Sequence, residues 1–269
     1  MRLGRIDYLN CYPFYYHMLE KEPLKGVKLR PALPSALNRM MAEKQLDMSP
    51  VSAAAYADLN RDVLLLPDFC ISSTGLVKSV ILAGRFPIEE LGGKNLGLTS
   101  ASRTSVVLLK IILKKFYACE PFYRAAGPRP GLKDFDAVLL IGDDAMTEEA
   151  AAAPYRYDLG ELWLKKTGLP VVFAVFAVSK AAAATDPDGI RAVVDSYRAS
   201  LCCLAGERPE LAAKASLRYP GVTRDIADYL DTLRYEFTDN RKDALKHYFS
   251  AASELGLLKE VKTLEFINL

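Results

Sequence analysis

Phosphate loops, clustered metal ligands and long apolar runs are all missing from this chain, and each gap removes a class of function. It has only two histidines, His17 and His247, near opposite ends of 269 residues. A histidine-centred triad or a histidine metal site is therefore short of members. No GxGxxG loop occurs, because Gly92-Gly93-Lys94-Asn95-Leu96-Gly97 has the wrong spacing, and GxxxxGK[ST], GxSxG and HExxH are also absent. Cys11, Cys70, Cys119, Cys202 and Cys203 form no CxxC pair. An odd count with two adjacent thiols fits a reducing compartment and small apolar side chains better than a disulfide framework. Charge of one sign is lacking too: 35 Lys and Arg face 33 Asp and Glu, a net +2. No global field recommends nucleic acid or an anionic membrane as a partner. No apolar run reaches the ~18 residues of a membrane span. A strand-like segment starts at Arg2 with no leader-like apolar stretch before it, so the expected location is cytoplasmic.

What is present is an ordinary globular composition, 51% hydrophobic and 25% charged. A chain of 29.7 kDa folds to an area of roughly 12,000 Å² from about 43,000 Å² unfolded, which supports a large core without disulfides or metals. Apolar patterning predicts strands at 3–9, 27–33, 47–52, 63–66 and 76–83, with helices at 13–20, 35–44 and 53–59. A second series follows Gly84: a strand at 94–99, a helix at 102–116, a strand at 137–141, a helix at 159–166 and a long apolar strand at 170–179. Asp186-Pro187 then opens a region of four helices over 187–255, and a short strand at 261–266 closes the chain. Short strand–helix–strand connections imply α/β layers with mostly parallel sheets. Two such series with a helical tail predict two lobes: 1–83 plus 178–269, and 84–177. Hinges are expected near 82–86 and 174–179, with a ligand cleft between the lobes.

Polar residues gather where strands are expected to end. Asn10 follows the first strand, and either an Asx cap or a functional amide accounts for it. Ser52 similarly reads as a helix cap or a cleft hydroxyl. Ser72, Ser73 and Thr74 precede Gly75, more hydroxyls than a turn requires. Ser102, Arg103, Thr104 and Ser105 open the 102–116 helix, where free N–H groups and the dipole favour a carboxylate or phosphate. Capping explains one of those hydroxyls, and Arg103 suits either an anionic ligand or a structural ion pair. Asp143 and Asp144 follow the 137–141 strand, with no second acidic cluster near in sequence to suggest a metal.

In this order the segments resemble the chorismate dehydratase family of the futalosine route to menaquinone. The resemblance rests on Asp7-Tyr8-Leu9-Asn10-Cys11-Tyr12-Pro13, Ser49-Pro50-Val51-Ser52 with Tyr56, Ile71-Ser72-Ser73-Thr74-Gly75 and Ser102-Arg103-Thr104-Ser105. It continues through Leu140-Ile141-Gly142-Asp143, Tyr157-Asp158-Leu159-Gly160-Glu161-Leu162-Trp163 and Thr167-Gly168-Leu169-Pro170. Val172 and Phe176 depart from it, where Phe and Trp are expected. The resemblance implies a type II periplasmic-binding-protein-like fold and a hydro-lyase that turns chorismate into 3-[(1-carboxyvinyl)oxy]benzoate with no cofactor. The C4 hydroxyl and C3 hydrogen leave, and aromatisation drives the step. Asn10 and Ser73 map to the reacting centre. Ser52, Ser72, Ser102, Arg103, Thr104, Ser105 and Asp143 are expected to bind substrate, with a substrate carboxylate or a water relaying the proton. The competing readings are the related 1,4-dihydroxy-6-naphthoate synthase, for which a catalytic His is expected, and a non-catalytic carboxylate-binding protein of the same fold. Monomer and dimer both remain compatible with the sequence.

Overall fold

The computed structural model describes residues 1–269, apart from the side chain of Glu149. In chain order the strands are β1 (Arg2–Ile6), β2 (Lys28–Ala32), β3 (Met48–Ser52), β4 (Val63–Ser73), β5 (Val80–Gly84), β6 (Asn95–Leu98), β7 (Phe122–Ala125), β8 (Ala137–Ile141), β9 (Tyr155–Asp158), β10 (Val171–Ser179) and β11 (Leu233–Glu236). They form a six-stranded sheet in the order β11-β4-β10-β3-β1-β2 and a five-stranded sheet in the order β7-β6-β8-β5-β9. Helices flank both.

The α/β class and its helical C-terminal region are as expected, but the sheets are mixed rather than mostly parallel. β1 runs parallel to β2 and β3, and β6 parallel to β7 and β8, where intervening segments carry the chain back to the same end. β10 instead arrives from the other sheet and slots antiparallel between β3 and β4. β5 likewise enters antiparallel to β8 and β9. A strand arriving from a different sheet escapes the crossover geometry that keeps successive βαβ strands parallel. The chain changes sheet between Ser73 and Val80 and returns between Asp158 and Val171. The divisions expected at 83/84 and 177/178 fall inside β5 and β10, because each of these apolar runs lies wholly within one sheet and the chain crosses before the run begins.

β4 is longer than its sequence pattern suggests. Pro67 and Asp68 interrupt the apolar run, and there the pairing with β10 shifts register between Leu65 and Cys70. The expected 261–266 strand reduces to a single bridge between Leu65 and Phe266. The four C-terminal helices are Pro187–Gly206, Arg208–Arg218, Ile226–Leu230 and Asp239–Glu254, with β11 interposed before the last.

The Arg103–Phe116 helix buries Val107, Leu108, Ile111 and Ile112, the three-and-four spacing that makes one apolar face. The Leu159–Thr167 helix is capped by Asp158, whose Oδ1 accepts from Gly160 N at 2.9 Å and Glu161 N at 3.1 Å. The same carboxylate accepts from Val77 N at 3.0 Å and Lys78 N at 2.7 Å, so one side chain fixes both the helix start and the first crossing. Gly160 has to be glycine because a Cβ there would run into the Gly75 carbonyl. One aromatic cluster of Phe14, Phe69, Phe176 and Tyr197 fills the six-stranded sheet's core, with Phe14 and Phe176 centroids 4.4 Å apart. Phe176 therefore departs from the family pattern in the core, as does the buried Val172.

Candidate active site

A cleft opens between the two sheets at the carboxyl ends of β1, β3 and β8. Ile6, Tyr8, Asn10, Ser52, Ile71, Phe173 and Ala174 line it from one side, and Val77, Ser79, Ser102, Ser105, Ile141 and Gly142 from the other. Carboxyl ends of strands at a change in connection are where α/β sheets bind ligands. The enclosed space is about 40 Å³, room for roughly three waters at ~10–15 Å³ each. None of the lining residues is charged.

Asn10 sits in a short 3-10 turn, Leu9–Cys11, which has no side-chain cap. Its Oδ1 is buried without a hydrogen-bond partner, while its carbonyl accepts from Tyr235 Oη at 3.2 Å. The cap reading of Asn10 is thus excluded, and the amide faces the cleft. Ser52 also lacks the capping bond its position suggested. Its Oγ accepts from Asn38 Nδ2 at 3.2 Å and its N–H donates to Asn38 Oδ1 at 3.0 Å, which leaves the hydroxyl proton for the cleft. Ser102 is the true cap of the 103–116 helix, with its Oγ accepting from Ser105 N at 3.3 Å. The two hydroxyls lie 3.1 Å apart at the cleft wall.

The other expected residues are held elsewhere. Thr104 is buried, donates to the Phe173 carbonyl at 2.9 Å and accepts from Ala54 N at 3.1 Å; it ties the helix to β10. Arg103 pairs with Asp58 on the outer surface. Ser72 Oγ donates to the Arg234 carbonyl at 2.9 Å, which joins β4 to β11. Ser73 Oγ donates to the Gly75 carbonyl at 3.1 Å within the turn that starts the first crossing. Asp143 does not line the cleft; its Oδ1 accepts from Leu9 N at 3.0 Å and pins the turn that carries Asn10. Burial pushes its carboxyl up to about 7; the Leu9 N–H and Arg129 oppose the rise, and Asp144 and Asp7 add to it.

Two lining residues carry hydroxyls that sequence reasoning passed over, Tyr8 and Ser79. Ser79 Oγ accepts from Tyr229 Oη at 2.9 Å. Neither histidine lines the cleft: the His17 N–H bonds Ser200 Oγ, and the His247 ring lies 5.8 Å from Trp163. Cys11 ends the Asn10 turn with its side chain buried, and burial first of all pushes its thiol up to about 12, so it supplies no thiolate. Cys11, Cys70 and Cys119 are buried, whereas Cys202 is exposed. Among the described residues no group of three or more His, Cys, Asp or Glu is placed to hold a metal, and no helix is long and apolar enough to cross a membrane.

A family model described as menaquinone biosynthesis matches residues 1–254. The chain belongs to that family. It is 32% identical to a chorismate dehydratase of Thermus thermophilus over 95% of each chain. A 1,4-dihydroxy-6-naphthoate synthase of the same organism is 26% identical, over 64% of this chain and 63% of that protein. Among solved structures, the periplasmic aliphatic sulphonate binding protein SsuA of Escherichia coli superposes with a TM-score of 0.69 at 11% identity, covering 99% of this chain and 95% of that one. The fold is accordingly that of the periplasmic binding proteins.

Proposed function

We propose that this protein is a hydro-lyase that dehydrates chorismate to 3-[(1-carboxyvinyl)oxy]benzoate in menaquinone biosynthesis. The observation that carries the reading is the near full-length match to a chorismate dehydratase within a menaquinone biosynthesis family. The cleft chemistry agrees with it. Chorismate brings two carboxylates, and the Ser102 and Ser105 hydroxyls at a 14-residue helix's N-terminus offer a carboxylate a neutral seat. Asn10 offers its unpartnered amide oxygen to accept from the substrate at the reacting centre, and its amide nitrogen is the group that donates to developing charge. With no charged residue in the lining, the proton at C3 passes to a substrate carboxylate or to water. The C4–O bond then breaks, the departing oxygen takes up a proton and leaves as water, and the ring is aromatic. Ser73 and Asp143 act behind this shell: one shapes the crossing turn and the other holds the Asn10 turn.

The cleft is too small for a substituted six-membered ring as it stands. In this reading each sheet is the centre of a lobe, and the lobes swing apart about the crossings at 74–79 and 159–170 to admit substrate. The location is cytoplasmic and the partner is the small-molecule substrate alone. The naphthoate synthase reading fits less well, because the catalytic histidine expected of it has no counterpart at the cleft. Mixing purified protein with chorismate tests the proposal. Appearance of an aromatic enol-ether acid, followed by ultraviolet absorbance and proton NMR, is the expected result. Binding of chorismate without aromatisation refutes the enzyme and favours a binding protein.

A further inference from the structure

The Tyr8 hydroxyl is a buried donor that nothing in the folded chain uses. β1 continues in extended form through Tyr8 (φ −127°, ψ 154°), so side chains alternate across it. Arg5 and Asp7 pair at 2.6 Å on the face away from the cleft, while Ile6 and Tyr8 turn into it. The ring crosses to the other sheet and lies flat against Gly142. A Cβ on Gly142 would stand 2.8 Å from Tyr8 Cγ and Cδ1, and Gly142 holds φ +59°, so glycine is required there twice over. Tyr8 is 5% exposed, yet its Oη has no hydrogen-bond partner. Four other buried tyrosines do find partners. Tyr15 donates to the Gly4 carbonyl, Tyr197 to Tyr15, Tyr229 to Ser79 and Tyr248 to the Thr104 carbonyl. Tyr8 and Tyr16 are the tyrosines left over, and only Tyr8 faces the cleft.

A buried, rigidly seated donor without a partner is a place prepared for a ligand atom. Two residues on, Asn10 Oδ1 is a buried acceptor without a partner in the same cleft. We propose that Tyr8 Oη donates a hydrogen bond to a substrate oxygen in the closed cleft, making Tyr8 a specificity-determining residue alongside Asn10. The inference rests on the dehydratase reading and adds a residue to it. Burial, followed by the nearby Asp144 and Asp143 carboxyls, pushes the phenol's ionisation upwards. Tyr8 therefore keeps its proton at neutral pH and acts as a donor, never as the base.

Tyr8→Phe tests this, since it deletes the hydroxyl and preserves the ring that packs on Gly142. Steady-state turnover of chorismate, calorimetric titration with the aromatic product and thermal unfolding are measured on parent and variant together. The expected result is a 10–100-fold fall in kcat/KM and at least a tenfold weaker product Kd. Tm should be unchanged or raised, because the empty protein loses an unsatisfied group. A structural role predicts the reverse pattern, a lower Tm with kcat/KM and Kd within twofold of the parent, and that result overturns the inference alone. An inactive parent overturns the dehydratase reading and this inference together.

Discussion

Asp143 stands just beyond the end of β8, and the Leu9 N–H it accepts at 3.0 Å is how the five-stranded sheet grips the turn bearing Asn10. Burial is the largest influence on its carboxyl, and the balance of effects takes it from 3.8 to about 7. The folded protein thus keeps this proton to a higher pH than the unfolded chain does. As pH rises from about 4 through about 7, the native state releases it at its own expense, so this group's contribution to stability is greatest below 4 and is lost across that window. Roughly three decades of proton affinity at about 1.4 kcal/mol each set a ceiling of about 4 kcal/mol. Asp143 retains some solvent contact, and screening reduces the figure to about 2 kcal/mol. Asp143→Asn keeps a carbonyl to accept the Leu9 N–H and removes the charge. At pH 8 the variant should unfold about 4–8 °C above the parent, at 2–4 °C per kcal/mol for a chain of this size. The gap should close towards zero by pH 4. Thermal unfolding followed by circular dichroism at half-unit steps from pH 4 to 8 gives both curves. A gap that does not change with pH, or a variant less stable than the parent at pH 8, refutes the reasoning.

The remaining predictions concern the cleft. Asn10→Ala should lower kcat by about 10²–10³, the usual cost of deleting one preorganised donor, with KM and folding little changed; turnover within a few-fold of the parent removes Asn10 from the mechanism. Asn10→Asp should be slower still, because it places a negative charge beside a dianionic substrate. Replacing Ser102 and Ser105 together by Ala should raise KM tenfold or more, about 1.4 kcal/mol per decade, whereas Thr104→Val should leave KM alone and cost about 1–3 kcal/mol of stability through its two lost bonds. Equal KM values for the two variants defeat that division of labour. Small-angle scattering should show a smaller radius of gyration with the aromatic product bound than without it, and identical profiles count against opening at the crossings.

How much of this was legible depended on where each residue's partner lies in the chain. β8 and β10 are buried and read as apolar runs; β7 and β9 are four-residue sheet edges, largely exposed, and the equally short edge strand β11 buries only Leu233 and Tyr235, so none of the three leaves such a trace. Asn10, Ser52, Ser102 and Ser105 were visible as polar side chains at strand and helix ends. Ser102 and Ser105 are three apart and share a helical face, whereas Thr104 between them turns towards β10, a distinction that spacing alone contains. Ser72 and Ser73 could not be placed from spacing, because β4 runs on through them and their hydroxyls bond to β11 and the crossing turn. Tyr8 could not be seen as a cleft residue, since what aims it is Gly142 on the opposite sheet. Ser79 depends in the same way on a loop whose path Asp158 dictates.

The position of β10 between β3 and β4 also sets an order of events on the ribosome. β5 to β9 are contiguous in sequence, from Val80 to Asp158, so the five-stranded sheet has all its strands once that stretch has emerged. At the same moment β3 and β4 are already made but lack the strand that joins them. Their facing edges, rich in buried apolar side chains, wait for Val171–Ser179 to be synthesised. The inserted half is therefore expected to fold first and the half that begins the chain to fold last. A ribosome-held chain with residues 1–169 outside the exit tunnel should show protease protection over 80–158 and little over 2–73; equal protection of both would exclude this order.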